Sequence, residues 1–128
     1  MREITIGTTH TSTLTVGESD TAIALGSGNL RVLGTPAMTS LMENAAMSAI
    51  APLLDGTESS VGISLNITHD RATGVGDSVS ATAVVTAVDG RRIDFEVSAI
   101  DSSGTRIGGG THARFVVNVE KFMSKIEK

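Results

Sequence analysis

Beyond residue 60, apolar and polar residues alternate with a period of two, which is the pattern of half-buried β-strands. This alternation predicts four strands, at residues 60–69, 78–88, 92–101 and 105–119. Asp89 and Gly90 separate the second strand from the third and form the two-residue signal of a tight type I′ hairpin. A Thr-rich stretch at 9–16 predicts an earlier strand, residues 21–25 are compatible with a second short one, and the charged tail 120–128 is compatible with a helix.

One long helix is predicted at residues 36–54, before the run of strands. Thr35 is suited to cap it, Pro36 fits the first helical position, where its missing N–H costs nothing, and Gly56 lies just past the end. The apolar side chains cover most of the circumference, which is typical of a buried helix. They are Met38, Leu41, Met42, Ala45, Ala46, Met47, Ala49, Ile50, Leu53 and Leu54.

A single buried helix followed by four antiparallel strands favours an α+β hot-dog fold, in which a curved antiparallel sheet wraps one long central helix. We expect residues 1–128 to form a single domain, since a chain of 128 residues supports one core. One sheet cannot cover every side of so apolar a helix. We therefore expect a second copy of the chain to complete the cover, and at least a homodimer.

The composition narrows the possible functions. Hydrophobic residues make up 40% of the chain and charged residues 19%, which excludes disorder of the whole chain. Three Phe are the only aromatic residues and the net charge is −4, so we expect no nucleic-acid partner. The absence of Cys excludes disulfides and thiolate chemistry. No signal peptide or membrane-spanning segment is visible, and we expect a cytoplasmic protein.

Glu43 and His69 are the main candidates for chemistry. Glu43 is the only charged residue in the predicted helix, and burying a lone carboxylate is costly unless it is protonated or hydrogen-bonded. The parity of the strand puts His69 on the face of Val61, Ile63 and Leu65, which should look at the helix and Glu43. Together they would suit proton transfer. The alternatives are a Glu43 at an open edge or with a structural partner, and a His69 that is a satisfied core residue.

Thr35 and the glycine run near the C-terminus are weaker candidates. Thr35 lies eight residues before Glu43, about 12 Å along an ideal helix, so the two either act across a subunit interface or require a later helix start. Gly108, Gly109 and Gly110 interrupt a strand, which indicates a bulge or the close approach of a backbone or ligand. His112 and Arg114 follow on one face, which is a solvated polar face if the glycines form only a flexible bulge. The three histidines have no metal-ligand spacing, so no metal site is expected.

Taken together, these segments resemble the fluoroacetyl-CoA thioesterase-like family of hot-dog proteins. The similarity covers the chain from Val16 onward, in the same order and at nearly the same spacing. The segments are Gly34-Thr35-Pro36-Ala37-Met38, Leu41-Met42-Glu43, Val61-Gly62, Thr68-His69, Asp89-Gly90-Arg91, the glycine-rich stretch up to Arg114, and Glu120-Lys121-Phe122.

The resemblance implies a role for each matching residue. Thr35, Glu43 and His69 would form the catalytic triad, with Glu43 as nucleophile or base, His69 assisting proton transfer and Thr35 positioning them. Gly62 would line the acyl site and Arg114 would bind substrate. The implied activity is hydrolysis of a short-chain acyl-CoA to free acid and CoA by a homodimer, without a metal or other cofactor.

The resemblance leaves the acyl group open. Residues 24–33 are short and carry no aromatic residue, where the fluoroacetate enzyme has a longer segment with aromatic lid residues. A non-catalytic acyl- or CoA-binding module on the same fold is the alternative function. A hydratase is disfavoured, because Asp70 follows its histidine and no Asp-x-x-x-x-His signature is present.

Overall fold

The computed structural model describes residues 1–127 and contains one curved antiparallel sheet and one long helix in that range. The strands run in the order β1-β3-β4-β5-β2 across the sheet. Their bounds are β1 Thr9–Thr15, β2 Glu58–His69, β3 Ser78–Asp89, β4 Arg92–Ile100 and β5 Arg106–Asn118, and the helices are α1 Ala22–Leu25, α2 Thr35–Ile50 and α3 Val119–Ser124. The predicted hot-dog arrangement is confirmed.

Each of the predicted later strands is present within two residues of its expected bounds, whereas the segment at 21–25 is not a strand. Thr21 forms a single bridge with Leu33 and then caps α1, its side chain accepting a hydrogen bond from the Ala24 N–H at 3.2 Å. The predicted type I′ hairpin is also wrong in detail. Asp89 pairs with Arg92, so the loop is Gly90-Arg91, and only Gly90 has a positive φ, which fits a type II′ turn.

Helix α2 begins one residue earlier and ends four residues earlier than predicted, and it is capped differently. Pro52 has no N–H to continue the α-helical bonds, and the chain passes into a 3-10 turn at Ala51–Leu53. Gly34 is the N-cap and makes no side-chain cap, so Thr35 is not the predicted cap but the first helical residue. Its hydroxyl is therefore available for another partner.

The core lies between α2 and the concave face of the sheet. The helix packs mainly over β1, β3 and β4 and only lightly over β2. Its buried side chains meet small and β-branched residues that alternate along the central strands. The buried residues of α2, β3 and β4 are Met38, Met42, Ala45, Ala46, Ala49, Ile50, Val79, Ala81, Ala83, Val85, Ile93, Phe95, Val97 and Ala99. A gap is left between the helix and the β2 side of the sheet.

A β-bulge in β2 reverses which residues face this gap. Gly62 pairs with Arg114 and Ser64 pairs with Ala113, so Ile63 has no opposite residue in β5. An extra residue in one strand shifts the two-residue period by one. Even-numbered residues therefore face the helix side before the bulge, and odd-numbered residues face it after.

The bulge corrects the parity expectation for this strand. His69 and Leu65 face the helix side as predicted, because Leu65 lies opposite His112 and His69 opposite Gly108. Val61 does not share that face, since it lies opposite the exposed Phe115. Gly62 and His69, seven positions apart, consequently share the same side of the sheet.

The glycine run in β5 is explained by the close approach of β2. A Cβ atom on Gly110 would overlap the carbonyl oxygen of Asn66, and one on Gly108 would overlap the carbonyl oxygen of Thr68. Two of the causes expected from the sequence are found here: the approach of another backbone, and a bulge, because Ala99 pairs with Gly108 and Ile100 with Arg106, so that Ile107 has no opposite residue in β4. Separately, no helix within residues 1–127 has the length and apolar character needed to cross a bilayer.

Candidate active site

The first polar group in the gap is formed by Thr35 and His69. Thr35 Oγ1 lies 2.8 Å from His69 Nδ1, which joins the first turn of α2 to the end of β2. His69 Nε2 is buried and has no hydrogen-bond partner among residues 1–127. The pair borders a cavity of about 250 Å³ that is also lined by Leu33 and Asp70. The imidazole is thus held through Nδ1, while Nε2 makes no hydrogen bond within residues 1–127.

The second polar group is centred on Glu43, two turns further along α2. Glu43 Oε2 lies 3.9 Å from Arg114 Nη1, and the side chain of Glu43 is 42% exposed while that of Arg114 is 7% exposed. The two residues line a cavity of about 270 Å³ together with Ser40, Asn44 and Met47. Glu43 therefore has a charged partner and also an open side towards the cavity.

Strand β2 has room for the Glu43 carboxylate at Gly62, which has no side chain. A Cβ atom there would lie 2.8 Å from Glu43 Oε2, 3.2 Å from His112 Cε1 and 3.5 Å from Arg114 Nη1. The first of these distances is shorter than a normal carbon–oxygen contact, so a side chain would displace the carboxylate. The absence of a side chain at Gly62 brings Glu43 against the strand backbone.

Arg114 is held by a buried network that starts from Ser60. Its Nε donates to Ser60 Oγ at 2.8 Å and its Nη2 donates to the Ser60 carbonyl at 2.9 Å. Its Nη1 lies 3.2 Å from His112 Nε2, and His112 Nδ1 lies 2.8 Å from the Ser64 carbonyl. A solvated polar face at His112 and Arg114 is therefore excluded, since the two residues are only 2% and 6% exposed.

The protonation of His112 follows from its surroundings. Burial lowers the pKa of His112 below its ordinary value of 6.5, and the charge of Arg114 lowers it too, against the opposing effects of the Ser64 carbonyl and Glu43. The ring is therefore neutral at pH 7. Because a carbonyl only accepts, Nδ1 carries the proton and Nε2 is left as an acceptor for the Arg114 N–H. Burial also lowers the pKa of Arg114, which still leaves a guanidinium charged.

The sequence-predicted residues thus fall into two groups within one chain. Thr35 and His69 form one, and Glu43, Gly62 and Arg114 form the other. The hydrogen bonds among residues 1–127 include none between Glu43 and His69. His112 is the member that sequence reasoning left without a role. Its signal was a histidine and an arginine two positions apart on one face, directly after the glycine run.

Chemically, the site combines a carboxylate beside a fixed positive charge with an imidazole held by a hydroxyl. A carboxylate can act as a nucleophile or as a base. An imidazole with one nitrogen free can move a proton. Each group borders a cavity of its own. A carboxylate and an imidazole that act on one bound molecule suit attack on a carbonyl group followed by protonation of the leaving group.

Comparisons of the sequence and of the structure with known proteins all match fluoroacetyl-CoA thioesterases. Residues 16–120 match the family model described as fluoroacetyl-CoA-specific thioesterase. A fluoroacetyl-CoA thioesterase from Streptantibioticus cattleyicolor is 42% identical over 97 residues, which are 76% of this chain and 69% of that protein. A solved structure of a fluoroacetyl-CoA thioesterase matches with a TM-score of 0.91 and 35% identity, over 97% of this chain and 96% of the other. A variant of it in complex with acetyl-CoA matches with a TM-score of 0.90 and 35% identity, over 96% of both chains.

Proposed function

The chain belongs to the fluoroacetyl-CoA-specific thioesterase family, and we infer from this that it hydrolyses the thioester of a short-chain acyl-CoA to the free acid and CoA. The complex of a related structure with acetyl-CoA supports this class of substrate. The observation that carries the proposal in this chain is the carboxylate of Glu43, held over Gly62 beside the buried guanidinium of Arg114. Residues 24–33 have no aromatic residue, and we leave the acyl group open among short chains.

In the proposed mechanism Glu43 either attacks the thioester carbonyl or activates a water molecule, and His69 protonates the leaving sulfur. As a nucleophile, a Glu43 oxygen adds to the thioester carbonyl and expels the CoA sulfur, leaving a mixed anhydride that water hydrolyses. As a base, it takes the proton of the attacking water instead. Both routes consume one water and give the acid and CoA. His69, held through Nδ1 by Thr35, delivers the proton to the sulfur from Nε2 and regains one from the water that is consumed, directly or by way of Glu43.

Gly62 and Arg114 bind the substrate in this proposal. The backbone N–H of Gly62 stabilises the oxyanion that develops on the carbonyl oxygen. Arg114 uses three of its five N–H groups within the buried network, and its remaining Nη1 hydrogen is directed to neither Ser60 nor His112. That hydrogen is available to a polar group of the substrate in the cavity beside Glu43.

A homodimer is part of the proposal because β2 is an edge strand with apolar side chains around it. The strand has twelve residues and pairs only with β5 within the described chain. Ile63 and Leu65 on it are 48% and 36% exposed, and Met47 on the facing side of α2 is 39% exposed. A long, apolar free edge invites pairing with another strand. Pairing of two β2 edges would join two sheets and cover these side chains.

We further propose that the active site is shared between the subunits. Within one chain Thr35 and Glu43 are separated by about 12 Å along the helix axis, and His69 is bonded to Thr35. A dimer in which the two β2 strands pair antiparallel brings the His69 end of one strand towards the Gly62 region of the other. Glu43 of the partner subunit would then act with Thr35 and His69. A cytoplasmic location completes the proposal and accords with a chain that has no cysteine.

Mixed dimers of two inactive variants test the shared site. The Glu43→Gln and His69→Ala proteins, each inactive alone, are unfolded together and refolded. Random association makes about half of the dimers mixed, and each mixed dimer would hold one site with both defects and one intact site. We expect about a quarter of the wild-type activity to return. Mixed dimers that are verified by native mass spectrometry and remain inactive would show that Glu43 and His69 act within one chain.

The proposed function is tested with a panel of acyl-CoAs from acetyl and fluoroacetyl to hexanoyl. We expect release of free CoA by the wild-type chain, fastest for the shorter acyl groups, and loss of this activity in His69→Ala. His10→Ala is the matched control, since His10 lies on the exposed strand β1 and should keep full activity. Tight binding of CoA without hydrolysis of any substrate would instead establish the non-catalytic binding module.

A further inference from the structure

We propose that His112 is a positioning residue that holds the guanidinium of Arg114 beside Glu43 without letting the two close into a direct hydrogen-bonded pair. The inference rests on the proposed function of Glu43. It assigns to His112 the task of keeping a positive charge near the carboxylate while leaving both carboxylate oxygens free for the reaction.

The argument begins with the orientation of the ring. His112 lies in β5, where its imidazole stacks on the Phe95 ring at a centroid distance of 6.0 Å and its Nε2 lies 3.2 Å from Arg114 Nη1. The Ser64 carbonyl, next to the bulge in β2, accepts a hydrogen bond from the Nδ1–H group, with 2.8 Å between Nδ1 and the oxygen. The bulge at Ile63 places that carbonyl within reach. A ring fixed in this way presents an Nε2 lone pair in one direction, towards Arg114.

The second step concerns the planar guanidinium. Ser60 binds the edge formed by Nε and Nη2, and His112 binds Nη1 from another direction. With these anchors the guanidinium stays 3.9 Å from Glu43 Oε2. This distance exceeds that of a charge-assisted hydrogen bond, about 2.8 Å. At 3.9 Å the positive charge stays beside the carboxylate, yet the arginine donates no hydrogen bond to a carboxylate oxygen.

Loss of the Nε2 acceptor should shorten the distance between Arg114 and Glu43. A buried N–H without a partner is costly, so Nη1 would turn to the nearest remaining acceptor, which is Glu43. Glu43 would then be tied into a direct ion pair, less able to attack a carbonyl or to accept a proton. The charged groups that face His112 are Arg114 on its own strand and Glu43 on α2, and both enter this account.

Two substitutions of His112 test the roles of its two ring nitrogens separately. His112→Gln can keep an acceptor near the Nε2 position, whereas His112→Asn keeps a donor near Nδ1 for Ser64 and loses the acceptor. We expect His112→Asn to lower kcat about tenfold, with KM changed less than twofold, and to move the acid limb of the kcat profile to lower pH. His112→Gln should retain at least half of the wild-type kcat, and His10→Gln, at an exposed position, should match the wild type.

A double-mutant cycle with Arg114→Lys distinguishes positioning from a general structural role. If His112 acts through the guanidinium, His112→Asn should cost less than twofold in kcat in the Arg114→Lys background. A tenfold loss in both backgrounds, equal losses for the Asn and Gln variants, or an acid limb that does not move would overturn the proposal. Thermal unfolding of each variant ensures that the rates refer to folded protein.

A spectroscopic measurement keeps this inference apart from the proposed function. Nitrogen-15 spectra of the free protein should show His112 protonated at Nδ1 and two distinct Arg114 Nη signals, in the wild type and in His112→Gln. In His112→Asn the Nη1 signal should shift while the two signals stay distinct, because Nη1 turns from the imidazole to the Glu43 carboxylate and Nη2 stays on Ser60. Merged signals in the wild type would overturn the inference even if the enzyme is active. If no acyl-CoA is hydrolysed, the proposed function fails, and these spectra alone decide whether His112 holds Arg114.

Discussion

Replacement of Glu43 by Gln is expected to lower kcat for the best short-chain acyl-CoA by about a thousandfold, at the upper part of the range for a lost general base or nucleophile. Gln keeps the size and the hydrogen-bonding ability of the side chain but has neither the charge nor the basicity. The side chain is 42% exposed and touches the core little, so the fold should be retained. Arg114 keeps its bonds to Ser60 and His112.

The rate is measured by release of free CoA under saturating substrate, with thermal unfolding followed in parallel. Glu96→Gln is the matched control, since Glu96 is exposed on β4 and should leave the rate unchanged. A Glu43→Gln protein within tenfold of the wild-type kcat would remove Glu43 from the chemistry. The alternative in which Glu43 is only a structural partner of Arg114 predicts that outcome, together with a lower unfolding temperature.

Gly110→Ala is expected to destabilise the fold by about 3 kcal/mol, at the upper end of the cost of adding one methyl group to a packed site. A Cβ atom at this position would overlap the carbonyl oxygen of Asn66, and it would also lie 2.8 Å from the Ile67 Cα. Both are backbone atoms of β2, which cannot turn aside as a flexible side chain can. The strand has to move away from β5, and that movement would carry His69 with it.

Urea denaturation measures this loss, and Gly56→Ala serves as the comparison. Gly56 lies in an exposed turn where a Cβ atom meets nothing within 4 Å and φ is not positive, so its substitution should change the free energy of unfolding by less than about 0.5 kcal/mol. Equal stabilities of the two variants would show that β2 adapts at no cost and that the glycine run has another purpose.

The secondary structure and the family could be predicted from the sequence because both depend on local patterns. Period-two alternation located β2 to β5, and the uncharged stretch around Glu43 marked the helix, since these patterns report which residues must leave water. The solitary charge in the helix and the histidine at the end of a strand also stood out without any structure. The failure at 21–25 came from Thr21, which is suited equally to a strand and to a helix cap.

The partners of the candidate residues were decided only by the tertiary structure. No local pattern predicts the β-bulge at Ile63, yet this bulge puts Gly62 and His69 on one side of the sheet. Thr35 was expected to cap the helix and bonds His69 instead, 34 positions away. Arg114, Ser60 and His112 meet because of the way β2 pairs with β5 around the bulge at Ile63. Such contacts depend on strand register and on the path of the whole chain, whereas a sequence pattern records only whether each residue is buried.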